Sequence, residues 1–414
     1  MTFLQLLVRL FTLVSLAILA AGIWLVADYG VRAAGGGPAP AELLGWGLGL
    51  LAWSFLGGAV ARFALGRPGD LHGAYEPGPG RLIEAPDGAR LWVESHGDPH
   101  APALILTHDR GLDSTVWREA KRELSRRHRV IVWDLPGCGR SAPAPDGAVS
   151  LERMAGELEA VLAMANGPAL LVGHGLGAMV VQSFCRLRPE AMGTKVAGIV
   201  LENAAATAPA GASFLGGLLR ALERPVLRPL LRLQIALAPL AALAGRQAAL
   251  SGWMQAAQRI GGFGPAPCRT LLDHACRLAW RQSPAAAARQ SLAMMDFDRG
   301  GENRQAMAAL RTPALVFAGG RDLVARPRAA SELAGLLRAH ENRVSFAGHH
   351  GPIECPSWYD HALKGFADHV FTRGAVWADR APAPGPAAAA AAARRPEPRS
   401  WAPATGVRPG LQPM

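Results

Sequence analysis

Residues 169–184 constrain the fold more tightly than any other stretch. An apolar run, Ala169-Leu170-Leu171-Val172, meets Gly173-His174-Gly175-Leu176-Gly177 and then Ala178-Met179-Val180-Val181-Gln182-Ser183-Phe184. A short apolar run bounded by glycine suits a buried strand, and the apolar residues after it suit a helix. Three glycines in five residues let the chain turn sharply between the two. Similar runs recur. Residues 81–93 hold two short strand runs around Asp87-Gly88, and Ala103–Thr107, Val130–Trp133, Ile199–Leu201 and Ala314–Ala318 read as further strands. Leu151, Met154, Leu158, Val161 and Leu162 fall on one helical stripe. Strands alternating with helices predict an α/β fold, a mostly parallel sheet with helices on both faces.

The strand ends carry the chemistry-bearing residues. His108-Asp109-Arg110-Gly111 follows the run at 103, and Asp134-Leu135-Pro136-Gly137-Cys138-Gly139-Arg140-Ser141 follows the run at 130. Gly319-Gly320-Arg321-Asp322 follows the run at 314, and Ala347-Gly348-His349-His350-Gly351-Pro352-Ile353-Glu354 comes last. Strand, glycine turn and helix at 173–177 match the context of G-x-S-x-G, in which a strained turn exposes a nucleophilic serine. In this order the five segments resemble the α/β-hydrolase family over roughly residues 80–372. The resemblance implies an α/β-hydrolase fold with esterase or lipase ancestry, Asp322 as the acid and His349 as the base, with His350 the less favoured neighbour. It also places the oxyanion hole at the backbone N–H groups of Arg110 and Leu176.

Two residues depart from the pattern. Gly175 stands where the family has serine, so the nucleophile is absent. Asp109 stands where the family usually has glycine. A carboxylate there should repel a developing oxyanion unless it points away or is protonated, and Arg110 could neutralise it. Other readings stay open. Asp322 could cap the helix that starts near Pro327, and His349 could be an ordinary loop residue. Cys138 could be proposed as a substitute nucleophile, but it sits on another loop with no base placed for it. Ser183 reads as helix packing and Ser141 as part of its own loop. Gly173–Ala178 also fits the dinucleotide pattern G-x-G-x-x-A, with Glu202 at the end of the next strand.

The N-terminus is apolar. Leu10–Ala27 and Leu43–Ala61 are uncharged runs of about membrane-spanning length, separated by Gly35-Gly36-Gly37-Pro38. They predict a two-helix transmembrane hairpin within residues 1–69. A signal peptide and a hairpin buried in a soluble core are the alternatives. Gly45 and Gly49 form a G-x-x-x-G pair that would permit close helix packing. Arg9, Arg62 and Arg67 at the outer ends favour a cytoplasmic hydrolase-like domain. Five cysteines, odd in number, match neither a disulfide framework nor a zinc site.

A hydrolase-like domain is expected over 70–372, with a helical cap at about 205–295 implied by the resemblance. Within the cap, Arg220, Arg224, Arg228 and Arg232 would form a basic stripe beside an apolar face if the helix were continuous, suited to anionic lipid, although Pro225 and Pro229 should break it. Residues 373–414, rich in alanine and proline, read as a disordered tail. The net charge of +11 is dispersed, with no nucleic-acid motif. The expected partners are therefore membrane lipid and a small apolar acyl or lipid-like ligand, with no nucleic acid, cofactor or metal. Loss of the serine makes conventional hydrolysis impaired or absent. The competing readings are a hydrolase that uses a His349-activated water and a change, natural or introduced, at a once-active serine.

Overall fold

The computed structural model describes residues 3–68, 75–265 and 267–378. Eight strands form one sheet: β1 (Gly80–Glu84), β2 (Arg90–His96), β3 (Ala103–Thr107), β4 (Arg129–Trp133), β5 (Ala169–His174), β6 (Val196–Glu202), β7 (Ala314–Gly319) and β8 (His340–Val344). Their order is β1-β2-β4-β3-β5-β6-β7-β8. β1–β2 and β2–β4 pair antiparallel and every other pairing is parallel. The β3, β4 and β5 runs read nearly continuously apolar because both sheet faces are covered. Ile105, Ile131 and Leu171 enter one core, and Leu104, Leu106, Val130, Leu170 and Val172 enter the other. Each such side chain, removed from water, contributes about 1.5–3 kcal/mol.

Helices cover the sheet as expected. The predicted stripe of Leu151, Met154, Leu158, Val161 and Leu162 is the buried face of a helix over Leu151–Leu162, whose N-terminus Ser150 caps by accepting the Arg153 N–H at 3.2 Å. Parallel strands bring β3, β5, β6 and β7 to a common carboxyl edge, and that edge gathers the loops carrying Asp109, Gly175, Asn203 and Asp322. Between β6 and β7 the chain forms a run of helices from Pro209 to Ala309, in the region where the cap is expected. The arginine stripe is not continuous: Gly216–Leu222, a π turn at Glu223–Leu227 and Arg228–Ala236 replace one straight helix. Pro225 lies in the π turn and Pro229 near the start of the next helix, where a missing N–H costs least. Arg228 pairs with Glu223 at 3.2 Å and Asp296 at 2.8 Å, while Arg220, Arg224 and Arg232 are exposed.

Two apolar helices precede the sheet: α1 (Phe3–Ala34) and α2 (Ala41–Leu65). Both are long and apolar enough to cross a membrane. Only 11% and 22% of their apolar windows are buried within the molecule, so packing in a soluble core does not account for them. The hairpin is nevertheless docked on the cap. Ser15 and Ser251 share a hydrogen bond at 2.7 Å, Gln247 Nε2 donates to the Ser54 carbonyl at 3.0 Å, and Phe11 meets Trp253 edge-on. A Cβ at Gly58 would lie 2.6 Å from the Ala249 carbonyl oxygen, whereas one at Gly45 or Gly49 would meet nothing within 4 Å. The close approach is thus made at Gly58 against the cap and not at the G-x-x-x-G pair.

At the other end of the domain, helix Pro356–Ala378 runs past the expected boundary at 372. The remainder of the expected tail, from 379, lies outside the described residues.

Candidate functional site

Gly175 follows β5 with φ 54° and ψ −112°, a conformation L-residues adopt only under strain. The next residue opens a helix over Leu176–Leu187. This is the sharp strand-to-helix turn the glycine pattern predicts. Its N–H donates to the Glu202 carbonyl at 3.1 Å, which ties the turn to the end of β6.

The structure brings Gly175, Asp322 and His349 together. His349 Nδ1 lies 2.8 Å from Asp322 Oδ2. Asp322 Oδ1 accepts the N–H groups of Val324 at 2.7 Å and Ala325 at 2.9 Å, which fixes the carboxylate. A residue the sequence reading passed over completes this corner. Asn203, at φ 49° after β6, donates to Asp322 Oδ2 at 3.3 Å and to the Gly348 carbonyl at 2.7 Å, and accepts the Tyr359 hydroxyl at 2.8 Å. A polar residue tolerant of positive φ at a strand end was the available signal.

Asp109 decides the character of the site. Its carboxylate neither points away nor sits in water: Oδ1 accepts the Leu176 N–H at 2.6 Å, and Oδ2 lies 3.1 Å from His349 Nε2. It therefore fills the space between the histidine and the turn, where a side chain on residue 175 would stand. A Cβ on Gly175 would overlap Asp109 Oδ1. Burial would raise the Asp109 carboxyl, but the His349 hydrogen bond and charge, His174 and the Leu176 N–H hold it well below the usual carboxylate range. His349 shows the complementary effect: burial would lower it, yet Asp322 and Asp109 push it up to about 10.

His108 positions this loop. Its Nε2 accepts the Leu135 N–H at 2.9 Å, so Nδ1 carries the proton and donates to the Asp109 carbonyl at 2.7 Å. Arg110 lines the cavity with Asp109, and no hydrogen bond or ion pair engages its guanidinium among the described residues. The cavity is small, about 30 Å³, and its apolar wall comes from Met179, Ala205, Pro209 and Met294. Leu4 and Gln5, in the first turn of α1, also line it. Nothing in the sequence pattern signalled that the N-terminal turn would close over a site built more than a hundred residues later.

The remaining candidates separate cleanly. His350 Nε2 meets Gln258 Oε1 at 3.2 Å, and burial with two neighbouring histidines lowers it to about 3. Cys138 is buried, its Sγ accepts from Gln282 at 3.1 Å, and burial pushes the thiol up to about 12, the state of an inert thiol. Ser141 donates to the Asp134 carbonyl at 2.7 Å, as a loop tie. Ser183 is buried in its helix. The helix N-terminus that a pyrophosphate would need is taken by the Asp109 carboxylate, and the Glu202 side chain is buried.

Comparison with known proteins agrees with the architecture. Residues 102–356, more than half of the chain, match the model of the alpha/beta hydrolase fold. The chain is 28% identical over 293 residues to polyketide synthase ThaQ of Burkholderia thailandensis, covering 70% of this chain and 13% of that protein, so it spans only about an eighth of the relative's length. A thermophilic esterase from Thermogutta terrifontis superposes with a TM-score of 0.56 at 21% identity, covering 71% of this chain and 99% of that one. The enol-lactonase from Burkholderia xenovorans LB400 superposes with a TM-score of 0.54 at 20% identity, covering 70% and 100%. With its strand order, its strained turn after β5 and its carboxyl-edge loops, the chain belongs to the α/β-hydrolase fold family.

Proposed function

We propose that this protein is a membrane-anchored member of the esterase/lipase-like α/β-hydrolases that binds an apolar, lipid-like ligand without acyl-serine turnover. One observation carries the reading: the Asp109 carboxylate occupies the nucleophile's seat. From there it opposes three requirements of ester hydrolysis at once. It fills the space a serine would use, takes the Leu176 N–H from the oxyanion hole and engages the Nε2 that would accept a proton. A water activated by His349 would need that same nitrogen.

Membrane anchoring rests on the length and exposure of α1 and α2, and the charge pattern at their ends favours a cytoplasmic domain. At about 1.5 Å per residue the 32-residue α1 is roughly 48 Å long, well beyond a ~30 Å hydrocarbon core. Its first turn can therefore leave the bilayer and reach the cavity through Leu4 and Gln5. Under this reading the cavity lies beside the membrane, and admitting a lipid-like ligand into its about 30 Å³ requires this turn to move.

Turnover of a short-chain aryl ester by the full chain in detergent tests the reading. The parent, Gly175→Ser and Asp109→Gly should be inactive. Gly175→Ser combined with Asp109→Gly should gain at least about 10³-fold over background, since only the pair restores both nucleophile and hole. Turnover by the parent that is lost on Asp109→Asn would overturn the reading in favour of an active carboxylate.

A further inference from the structure

The same corner holds a buried histidine that hydrolysis leaves unexplained. His174, the last residue of β5, is fully buried, and its Nδ1 has no hydrogen-bond partner. Leaving a buried ring nitrogen unpaired is costly, so it calls for a reason. Its other nitrogen is spoken for: Nε2 lies 2.8 Å from the His349 carbonyl, which can only accept, so Nε2 carries the proton and Nδ1 presents a lone pair. Ligand atoms of Asp109, His174 and His349 all lie within 4.8 Å of one another.

We infer that Asp109, His174 and His349 form a site for one divalent first-row transition ion, Zn²⁺ or a similar cation. Two imidazoles and one carboxylate are a donor set suited to such ions. The outer contacts fit as well. A ligating histidine typically donates its second N–H to a carboxylate or a backbone carbonyl. Here the His349 Nδ1 faces Asp322 at 2.8 Å, and His174 Nε2 donates to the His349 carbonyl. With bonds of about 2.0–2.1 Å, two ligands of one ion stand roughly 2.9–3.4 Å apart. His349 Nε2 and Asp109 Oδ2 are separated by 3.1 Å, and the His174 nitrogen, within 4.8 Å of both, would close in as the ion binds. Binding replaces their hydrogen bond with two metal bonds and releases the shared proton to solvent. Protein ligands number three, one fewer than a closed tetrahedral site holds, and two of them, Asp109 and His349, line the cavity.

Gly175 acquires a role in this site. Any side chain there would displace the Asp109 carboxylate, so a metal ligand at 109 and a serine at 175 exclude one another. The inference is independent of the ligand reading and holds whether or not esters are turned over.

The test uses the full chain in detergent, stripped with chelator and titrated with Co²⁺, whose ligand-field absorption reports coordination. The expected result is one Co²⁺ per chain, displaced by Zn²⁺. Asp109→Asn, His174→Gln and Gly175→Ala should each weaken binding by about 100-fold or more, while His361→Gln, at an exposed site, should leave it unchanged. Asp109→Asn preserves shape and decides the question should His174→Gln fail to fold. No binding by the parent below about 1 mM would overturn the inference. So would equal binding by parent and Asp109→Asn, which would mark an adventitious surface ion.

Discussion

The two halves of the site differ. On the acid–histidine side, Asp322 and His349 keep the contacts the resemblance implies, locked by Asn203 and by the N–H groups of Val324 and Ala325. On the opposite side, Gly175 retains the strained turn without a side chain, and Asp109 fills the space. The halves share one histidine, so each sees the other's charge. Gly175 and Asp109 are therefore coupled in space. A glycine at 175 makes room for a carboxylate at 109, and that carboxylate is tolerated because His349 and the Leu176 N–H satisfy it.

The largest expected effect lies on the preserved side. Asp322→Ala strips a buried carboxylate from two backbone N–H groups and from His349, and should cost about 3–5 kcal/mol. Thermal unfolding in detergent reads it, and a loss below about 1 kcal/mol would break the claim that this half is locked.

A smaller effect tests the coupling across the rebuilt half. Gly175→Ala should destabilise by about 2–3 kcal/mol, from positive φ and from the clash with Asp109. In an Asp109→Gly background the clash vanishes and the cost should fall, giving an interaction energy of about 1–2 kcal/mol in the double-mutant cycle. Strict additivity would show that the two departures are unrelated.

The smallest effect comes from a buried carboxylate that lacks such partners. Glu157 Oε2 is unpaired, and burial with the nearby Asp87 raises its pKa from 4.5 to about 8. Asp109 goes the other way because His349 faces it. A raised folded-state value means that Glu157 contributes fully below about 4.5 and that this contribution is lost as pH rises through about 8. Glu157→Gln should therefore flatten the fall in Tm between those limits and raise Tm by a few degrees at the upper one. An unchanged pH profile would contradict the contrast between paired and unpaired carboxylates.

Much of this was legible in the chain. Apolar runs of four or five residues gave β3, β4, β5 and β7 at nearly the right bounds, because a strand covered on both faces leaves an unbroken apolar signature. The helix after Ser150 followed from a 3.6-residue period, and Gly175, Asp322 and His349 from the family resemblance that the glycine-bearing loops carry. The two N-terminal helices were readable from hydropathy, since length without charge is a local property. Less legible was the cap. Its arginines recur every fourth residue, yet Pro225 and Pro229 pass through a π turn, so the periodicity did not survive as one helix.

The parallel α/β sheet, the glycine turn at 175 and the absence of a side chain there could be read from the chain alone, because strand burial, backbone strain and side-chain identity are written within a few residues of one another. Folding in three dimensions was needed to bring Asp109 against Gly175, to set Asn203 on Asp322, to leave a His174 nitrogen unpaired beside them, and to close the cavity with Leu4 and Gln5. Those contacts join residues tens to hundreds of positions apart. A carboxylate's direction and a nitrogen's lack of a partner depend on which side chains arrive opposite it, and no local pattern encodes that arrival.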